Sequence, residues 1–383
     1  MCSMFPAKYK LTLYSLLALI SLVAGLEFVL RIAGFEFHAP TFIPPAPPCM
    51  VLGSCNKENN SLFGKKGAAL FLRPEYSGWF QEQNFPARKP KNEFRVFILG
   101  GSTIYNLYGH LENSYNDSGM RVRIVNIGGN SFGTGRLVPL FGEILGYDPD
   151  MIIIYSGHSE FVDITIVDDF LLATPFQQKV REILRPSRVC NLIELAVYKT
   201  GMTLMRMKKI HGNGVVRYFS SRMRPGTDKD KVYGLYREYI TSMVKKALEH
   251  NISLRLSTVA YNRIIPPVNP AEAKDMNEKG LALMREGKYK EALIMLDKAQ
   301  DAEKIPFGAN ETSNKIIRDI AGKYKVPLLD VDAAVILRAP NGIPGNETFL
   351  DQCHFVDSRF LGELFQKEIH SAIAERKNIN PGI

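Results

Sequence analysis

Hydrophobic positions fall into two patterns along this chain. The first is one long run. "LTLYSLLALISLVAGLEFVL" is apolar over residues 11–30, broken only by Glu27, with Lys8 and Lys10 before it and Arg31 after it. About 20 apolar residues cross the hydrocarbon of a bilayer. Basic residues ahead of the run favour an N-terminus inside and the remaining chain outside. The pattern predicts a cytoplasmic N-terminus at 1–10 and a transmembrane anchor at 11–32. A signal peptide cleaved near Val23 and Gly25 is the competing reading. Apolar character continues to Ile32, which favours the anchor. Either way the rest of the chain is exported, with its main domain extracytoplasmic.

The second pattern is a series of short runs: "RVFILG" (95–100), "VRIVNI" (122–127), "MIIIYS" (151–156), "SLRLSTVA" (253–260) and "VPLLDV" (326–331). They are nearly continuous in Ile, Val and Leu, as in strands buried on both faces. Between them, "YNLYGHLENSY", "RLVPLFGEILG" and "YREYITSMVKKALEH" carry apolar residues at helical spacing. Such alternation predicts an α/β fold: a parallel sheet with helices on both sides, over 94–383. Before it, "APTFIPPAPP" and "NFPARKPKN" are dense in proline. They predict an extended linker over 33–93, with regular structure beginning at Arg95.

Two insertions interrupt the alternation. Residues 164–232 read as helical and irregular. No acid stands between Glu194 and Asp228, while Lys199, Arg206, Lys208, Lys209, Arg217, Arg222 and Arg224 do. A solvated helical lid and a basic face for anionic lipid or an acidic polymer both fit. Residues 271–304 place Gly280, Gly287, Tyr289, Ala292, Leu296 and Ala299 at the spacing of one tetratricopeptide unit. A solenoid needs several units. A single one predicts a helical hairpin docked on the main domain, with a protein partner as the second reading.

Composition alters this picture little. Of the 383 residues, 45% are hydrophobic, and the formal net charge of +9 is spread widely. No nucleic-acid-binding signature is present, so nucleic acid is not an expected partner. The five cysteines suit an exported chain, with a Cys49–Cys55 disulfide as the candidate pair. No Cys/His spacing resembles a zinc site, and no metal or cofactor is expected.

The chemistry gathers where the apolar runs stop. "RVFILG" leads into Gly101, Ser102 and Thr103. "VRIVNI" leads into "GGNSFGTG", "MIIIYS" into "GHSEF", and "SLRLSTVA" into Tyr261 and Asn262. In a parallel sheet these ends share one edge, where such folds bind ligands. Phosphate cradles do not fit: "GGST" lacks the Gly-x-x-x-x-Gly-Lys pattern and "GGNSFG" is not Gly-x-Gly-x-x-Gly. A serine nucleophile fits better. Ser102 stands in a Gly-Gly-Ser turn, and "DQCHFVD" supplies Asp351 three residues before His354. A serine hydroxyl needs a base, and the base an orienting carboxylate.

These blocks resemble the SGNH/GDSL hydrolase superfamily. "ILGGST" matches its first block, "NIGGNSFG" its second, "GHSEF" its third and "DQCH" its last, over about 94–163 and 234–372. The anchor and the hairpin resemble a membrane-anchored subgroup whose third block reads Gly-His-Asn-Glu-Phe. The resemblance implies a three-layer, flavodoxin-like sheet and activity on acyl esters. It implies Ser102 as nucleophile, His354 as base and Asp351 as its orienter. The backbone N–H groups of Ser102 and Ser131 would be oxyanion donors. The family's third donor is an Asn amide, and here Ser159 holds that position. Ser159 donates in its place, or Asn130 or Asn262 substitutes. His158 is displaced from the base position and shapes the pocket. Glu160 caps the next helix or holds His158. A Cys353 nucleophile is the weaker alternative to Ser102. The implied activity is that of an esterase or O-acyltransferase on envelope polysaccharide or lipid. The Asn-to-Ser change leaves a second reading, a scaffold that kept the fold.

Overall fold

The computed structural model describes residues 7–35, 61–76, 80–107, 109, 111, 114–115, 119–130, 132–161, 187–190, 192–193, 196 and 228–379. The chain divides into two compact units, Met1–Pro45 with Asp169–Tyr218, and Ala46–Asp168 with Phe219–Ile383.

The first unit contains helix α1, Ala7–Ile32. Within it Tyr14–Ile32 is long and apolar enough to cross a membrane, and none of that stretch is buried inside the protein. Its one carboxylate has partners. Glu27 pairs with Arg31 at 2.8 Å. It also accepts hydrogen bonds from the Ser187 hydroxyl and from the N–H groups of Arg188 and Val189, at 2.9–3.0 Å. A charge in an otherwise apolar helix is held by donors at the start of another helical segment.

The second unit opens where the sequence predicts only linker. β1 (Phe63–Lys66), β2 (Ala69–Leu72) and β3 (Asn84–Pro86) form an antiparallel sheet. The extended linker expected over 33–93 is therefore corrected for 63–86; residues 36–60, with Cys49 and Cys55, lie outside the described residues. The strands are only three or four residues long, so alternation had too few positions to show. Leu62, Phe63, Leu70 and Phe85 are nonetheless buried. Regular structure in the main sheet begins at Glu93, not Arg95, with β4 (Glu93–Gly100).

After β4 come α2 (Ser102–Tyr105), β5 (Ser114–Tyr115), β6 (Arg121–Gly128), α3 (Thr134–Ile144) and β7 (Met151–Tyr155). α4 (Lys229–Glu249), β8 (Ser253–Ser257), α5 (Ala271–Arg285) and α6 (Tyr289–Ala302) follow. The chain continues through α7 (Glu311–Tyr324), β9 (Leu328–Leu329), α8 (Val331–Arg338) and α9 (Arg359–Ile379). The helix expected from Tyr105 to Tyr115 is instead the four-residue α2 and, further on, strand β5.

The main sheet has the order β5-β6-β4-β7-β8-β9. β6, β4, β7, β8 and β9 run parallel, and only β5 is antiparallel. Counted from β4, the parallel strands read 2-1-3-4-5, the flavodoxin-like order. Its switch point lies between β4 and β7. One face of the sheet presents Val96, Ile98, Ile153 and Tyr155 to Leu361, Phe365 and Ile369 of α9. The alternate residues Phe97, Leu99, Ile152 and Ile154 are equally buried. A two-residue period turns them to the other face, where α3 and α4 pack on the sheet. Both faces are covered, as the continuous apolar runs require.

α5 and α6 pack against each other as a helical hairpin. A Cβ at Gly280 would stand 2.7 Å from Leu296, so only glycine lets α5 and α6 approach this closely. Gly287 turns between them at φ +74. Ala292 and Leu296 pack with Ile343, seating the hairpin on the segment that leads to Asp351. Most of the 164–232 insertion, with its run of basic residues, lies outside the described residues.

Candidate active site

β4 ends at Gly100 and the chain turns at Gly101 into α2, with Ser102 its first residue. Both glycines are required by space. A Cβ on Gly100 would lie 2.4 Å from the Tyr155 carbonyl, and one on Gly101 would lie 3.1 Å from the Phe132 carbonyl. The neighbouring strand ends press on this turn, and the Gly129 N–H donates to the Gly100 carbonyl at 3.0 Å. Asn126 braces it further. Its amide donates to the Ile104 carbonyl at 2.8 Å and its Oδ1 accepts from the Gly128 N–H at 2.7 Å.

From the far end of the chain comes a tight hairpin. Phe349 and Phe355 form its bridge, their rings 4.7 Å apart. The Leu350 N–H donates to the His354 carbonyl at 2.8 Å. At its tip Asp351 Oδ1 accepts from the N–H groups of Cys353 and His354, both at 2.9 Å. This local closure is what makes Asp an effective turn residue. The other oxygen, Oδ2, accepts from His354 Nδ1 at 2.6 Å. That bond fixes the tautomer and leaves Nε2 as an acceptor, 2.8 Å from Ser102 Oγ. The three residues that the sequence singled out thus form one continuous chain of hydrogen bonds.

The electrostatics follow. Burial alone would lower the His354 pKa, but the Asp351 carboxylate outweighs it and raises it above the ordinary histidine value. Burial alone would raise Asp351, but His354 and the two backbone N–H groups hold its carboxyl well below the carboxylate range. Asp351 stays ionised and stabilises positive charge on His354. The arrangement can take a proton from Ser102 and hold it on the imidazole.

The third block supplies neighbours. Ser159 is buried, and its Oγ is 3.5 Å from where a Gly101 Cβ would stand. This puts the hydroxyl over the nucleophile turn. Asn130, beside Gly129, is half-buried. Ser131 lies outside the described residues.

Three expected pocket residues have other work. Asn262 is a brace. Its amide donates to Asn346 Oδ1 at 2.9 Å and the Asp351 carbonyl at 3.2 Å, and its N–H donates to the Gln352 carbonyl at 2.9 Å. With both amide hydrogens engaged it does not serve as a substitute oxyanion donor. Glu160 caps a helix, α3. Its carboxylate accepts from the Thr134 hydroxyl at 2.6 Å and the Thr134 N–H at 3.1 Å. His158 Nδ1 accepts from the Ala309 N–H at 3.2 Å, so its proton sits on Nε2. That buried Nε2–H meets no acceptor among the described residues. Burial, reinforced by the charge on His354, pushes the His158 pKa down to about 3.

Two contributors escaped the sequence reading. The Thr103 hydroxyl donates to the Cys353 carbonyl at 3.4 Å, tying the nucleophile helix to the hairpin. The Asn346 side chain holds Asn262. Neither position has a signal in sequence, because each acts on a partner far along the chain.

No family model matches this chain, and no curated protein matches it. Among solved structures, a GDSL-like lipase from Bacteroides thetaiotaomicron is similar at 12% identity and TM-score 0.37, covering 75% of this chain and 93% of that one. An acetylxylan esterase from Geobacillus stearothermophilus is similar at 12% identity and TM-score 0.36, covering 72% and 93%. Another acetyl xylan esterase is similar at 13% identity and TM-score 0.38, covering 72% and 98%. At likenesses this distant, the functional reading stands on the geometry of Ser102, His354 and Asp351.

Proposed function

We propose that this protein is a serine-dependent acyl-ester hydrolase or O-acyltransferase of the SGNH type. The observation that carries the reading is the unbroken Ser102–His354–Asp351 relay at the carboxyl end of β4. His354 Nε2 takes the Ser102 proton as Oγ attacks the ester carbonyl. The imidazolium then returns that proton to the leaving alcohol, giving an acyl-enzyme on Ser102. Water, or a sugar hydroxyl, enters by the reverse sequence and releases the acyl group.

The oxyanion of each tetrahedral intermediate needs donors. As the first residue of α2, Ser102 has an N–H with no intrahelical carbonyl to bond. In this reading it is the first donor, the Ser131 N–H the second and the Ser159 hydroxyl the third. A serine hydroxyl is shorter than an Asn amide and free to rotate. Asn130 is the remaining substitute.

The apolar α1 supports a single-pass membrane anchor with the main unit outside the cytoplasm. Such a placement suits acyl esters of envelope polysaccharide or lipid as substrates. The exposed side of the hairpin is the place for a protein partner. No cofactor or metal takes part in the proposed reaction.

Labelling by a fluorophosphonate tests the enzyme. Labelling at Ser102 that is lost in Ser102→Ala and His354→Ala supports it. A folded wild-type protein that takes no label supports the competing reading, a binding scaffold, which the Ser159 position favours. Release of short acyl groups with and without acceptor sugars separates hydrolysis from transfer.

A further inference from the structure

No pair of Cys and His positions in the sequence has zinc-ligand spacing, but the folded hairpin tip makes a different set. An Asp351 carboxylate oxygen, Cys353 Sγ and His354 Nδ1 all lie within 4.8 Å of one another. All three residues are half-buried, so a small ion can reach them from solvent. A thiolate, an imidazole and a carboxylate are ligands that together suit zinc, and three of them leave its fourth position open to water.

We infer that Asp351, Cys353 and His354 bind a divalent zinc-like cation, and that the bound ion switches the proposed nucleophile off. The two distances to Nδ1 fit with small movements, and the Sγ and carboxylate oxygen lie within 4.8 Å of each other. Sγ and Nδ1 are 3.8 Å apart, and Nδ1 and Asp351 Oδ2 are 2.6 Å apart. Bond lengths of about 2.3 Å to sulfur and 2.0–2.2 Å to nitrogen and oxygen put tetrahedral ligands about 3.4–3.6 Å apart. The thiolate moves in by about 0.2 Å and the carboxylate oxygen out by about 0.8 Å to meet that geometry. The turn itself need not change. Asp351 Oδ1 already accepts the Cys353 and His354 N–H groups, which lines the three side chains up before any ion arrives.

Proton placement explains the switch. In the free site His354 carries its proton on Nδ1 and offers the Nε2 lone pair to Ser102. A cation on Nδ1 needs that nitrogen's lone pair, so in the neutral ring the proton moves to Nε2. Nε2–H then donates toward Ser102 Oγ and has no lone pair to accept the serine proton. The Cys353 thiol releases one proton as it becomes a thiolate ligand. A second is released when the ion displaces it from an imidazolium. No electron changes hands.

The inhibitory half rests on the function proposed above; the binding half does not. Titration of the full chain with Co²⁺ reads binding directly, through the thiolate-to-cobalt absorption in the near ultraviolet. We expect that band in wild type and in Ser102→Ala, and its loss in Cys353→Ser. In parallel, Zn²⁺ should slow fluorophosphonate labelling of Ser102 at least about tenfold, with recovery on chelation. Cys353→Ser should need at least about ten times more Zn²⁺ for the same effect, since even partners beyond the ligands change metal affinity by about 10–100-fold. The backbone bonds of residue 353, to Asp351 Oδ1 and from the Thr103 hydroxyl, do not involve its side chain, so this variant keeps the hairpin. A wild-type protein without the thiolate band, or Cys353→Ser with undiminished Zn²⁺ sensitivity, overturns the inference. A band in a protein that takes no label at Ser102 keeps the metal site and removes the catalytic reading instead.

Discussion

Two histidines sit at the same sheet edge and have been given opposite properties. His354 donates its Nδ1–H in a hydrogen bond to a carboxylate at 2.6 Å, and its pKa is raised. His158 receives a backbone N–H on Nδ1, buries its Nε2–H with no acceptor among the described residues, and has its pKa pushed down to about 3. What separates them is how burial is offset: the bonded Asp351 carboxylate outweighs it at His354, whereas at His158 burial and the charge on His354 prevail. A carboxylate on Nδ1 makes a base that welcomes a proton. Burial beside the charge on His354 keeps His158 neutral down to about pH 3, and the peptide N–H on Nδ1 sets its tautomer. The "GHSEF" motif shows a histidine, a hydroxyl and a carboxylate side by side, yet only the hydroxyl faces the nucleophile turn. The proposed base comes from a segment with a plainer sequence.

Substitutions test that division in descending order of effect. Ser102→Ala or His354→Ala should lower acyl-ester turnover by roughly 10⁶-fold, as for other serine triads. If His158→Ala matched that loss in a folded protein, the assignment of the base would be wrong. Asp351→Asn should cost roughly 10⁴-fold by releasing the wrong tautomer. It should also move the pH profile. Activity needs neutral His354, so kcat/KM rises with pH through the His354 pKa. In wild type that midpoint lies above the ordinary histidine value of 6.5, and in Asp351→Asn it should fall toward or below it. A midpoint that rises in the variant would contradict the charge pairing.

Ser159→Ala should lower kcat by about 10²-fold, the low end for an oxyanion donor. Ser159→Asn should raise it above wild type. Equal turnover in all three proteins would remove Ser159 from the site.

His158→Ala has the smallest expected effect, and it falls on stability. It leaves the Ala309 N–H without its acceptor, at a cost of about 1–3 kcal/mol in urea unfolding at pH 7. The pH dependence has a definite sign. The His158 pKa is depressed in the folded state, so the unfolded chain binds more protons between pH 6.5 and about 3. Stability from this residue is complete above 6.5 and declines as pH falls through that window. Unfolding curves at pH 7 and pH 5 should show wild type losing more stability on acidification than His158→Gln.

Much of this architecture could be read in advance because its signals are local. β4, β6, β7 and β8 are each nearly continuous apolar runs, and each ends in small or polar residues. That combination placed the site at one edge. Asp351 and His354 were readable for the same reason, since three residues of spacing close their own turn. Other parts have no local signature. The strands between Phe63 and Pro86 are too short to alternate visibly. The segment after Tyr105 has helical spacing, but none of its described residues up to Tyr115 is helical. Asn262 looked like a polar residue at a strand end, free to meet substrate. Its hydrogen-bond partners, Asn346 and Asp351, are more than 80 positions away in sequence. Glu160 had a cap in its composition but not the identity of the helix it caps.

Ser102 and His354 are separated by 252 positions, and the bond between them is the longest reach in the site. During synthesis the nucleophile and the central strands β4, β6 and β7 leave the ribosome well before the base does. Until the last hairpin folds back, Ser102 is an ordinary alcohol. A chain cut or stalled before residue 354 therefore carries the sheet and the serine without the means to activate it. Chemistry becomes a property of the finished molecule, and labelling of Ser102 would report completed folding as much as catalysis.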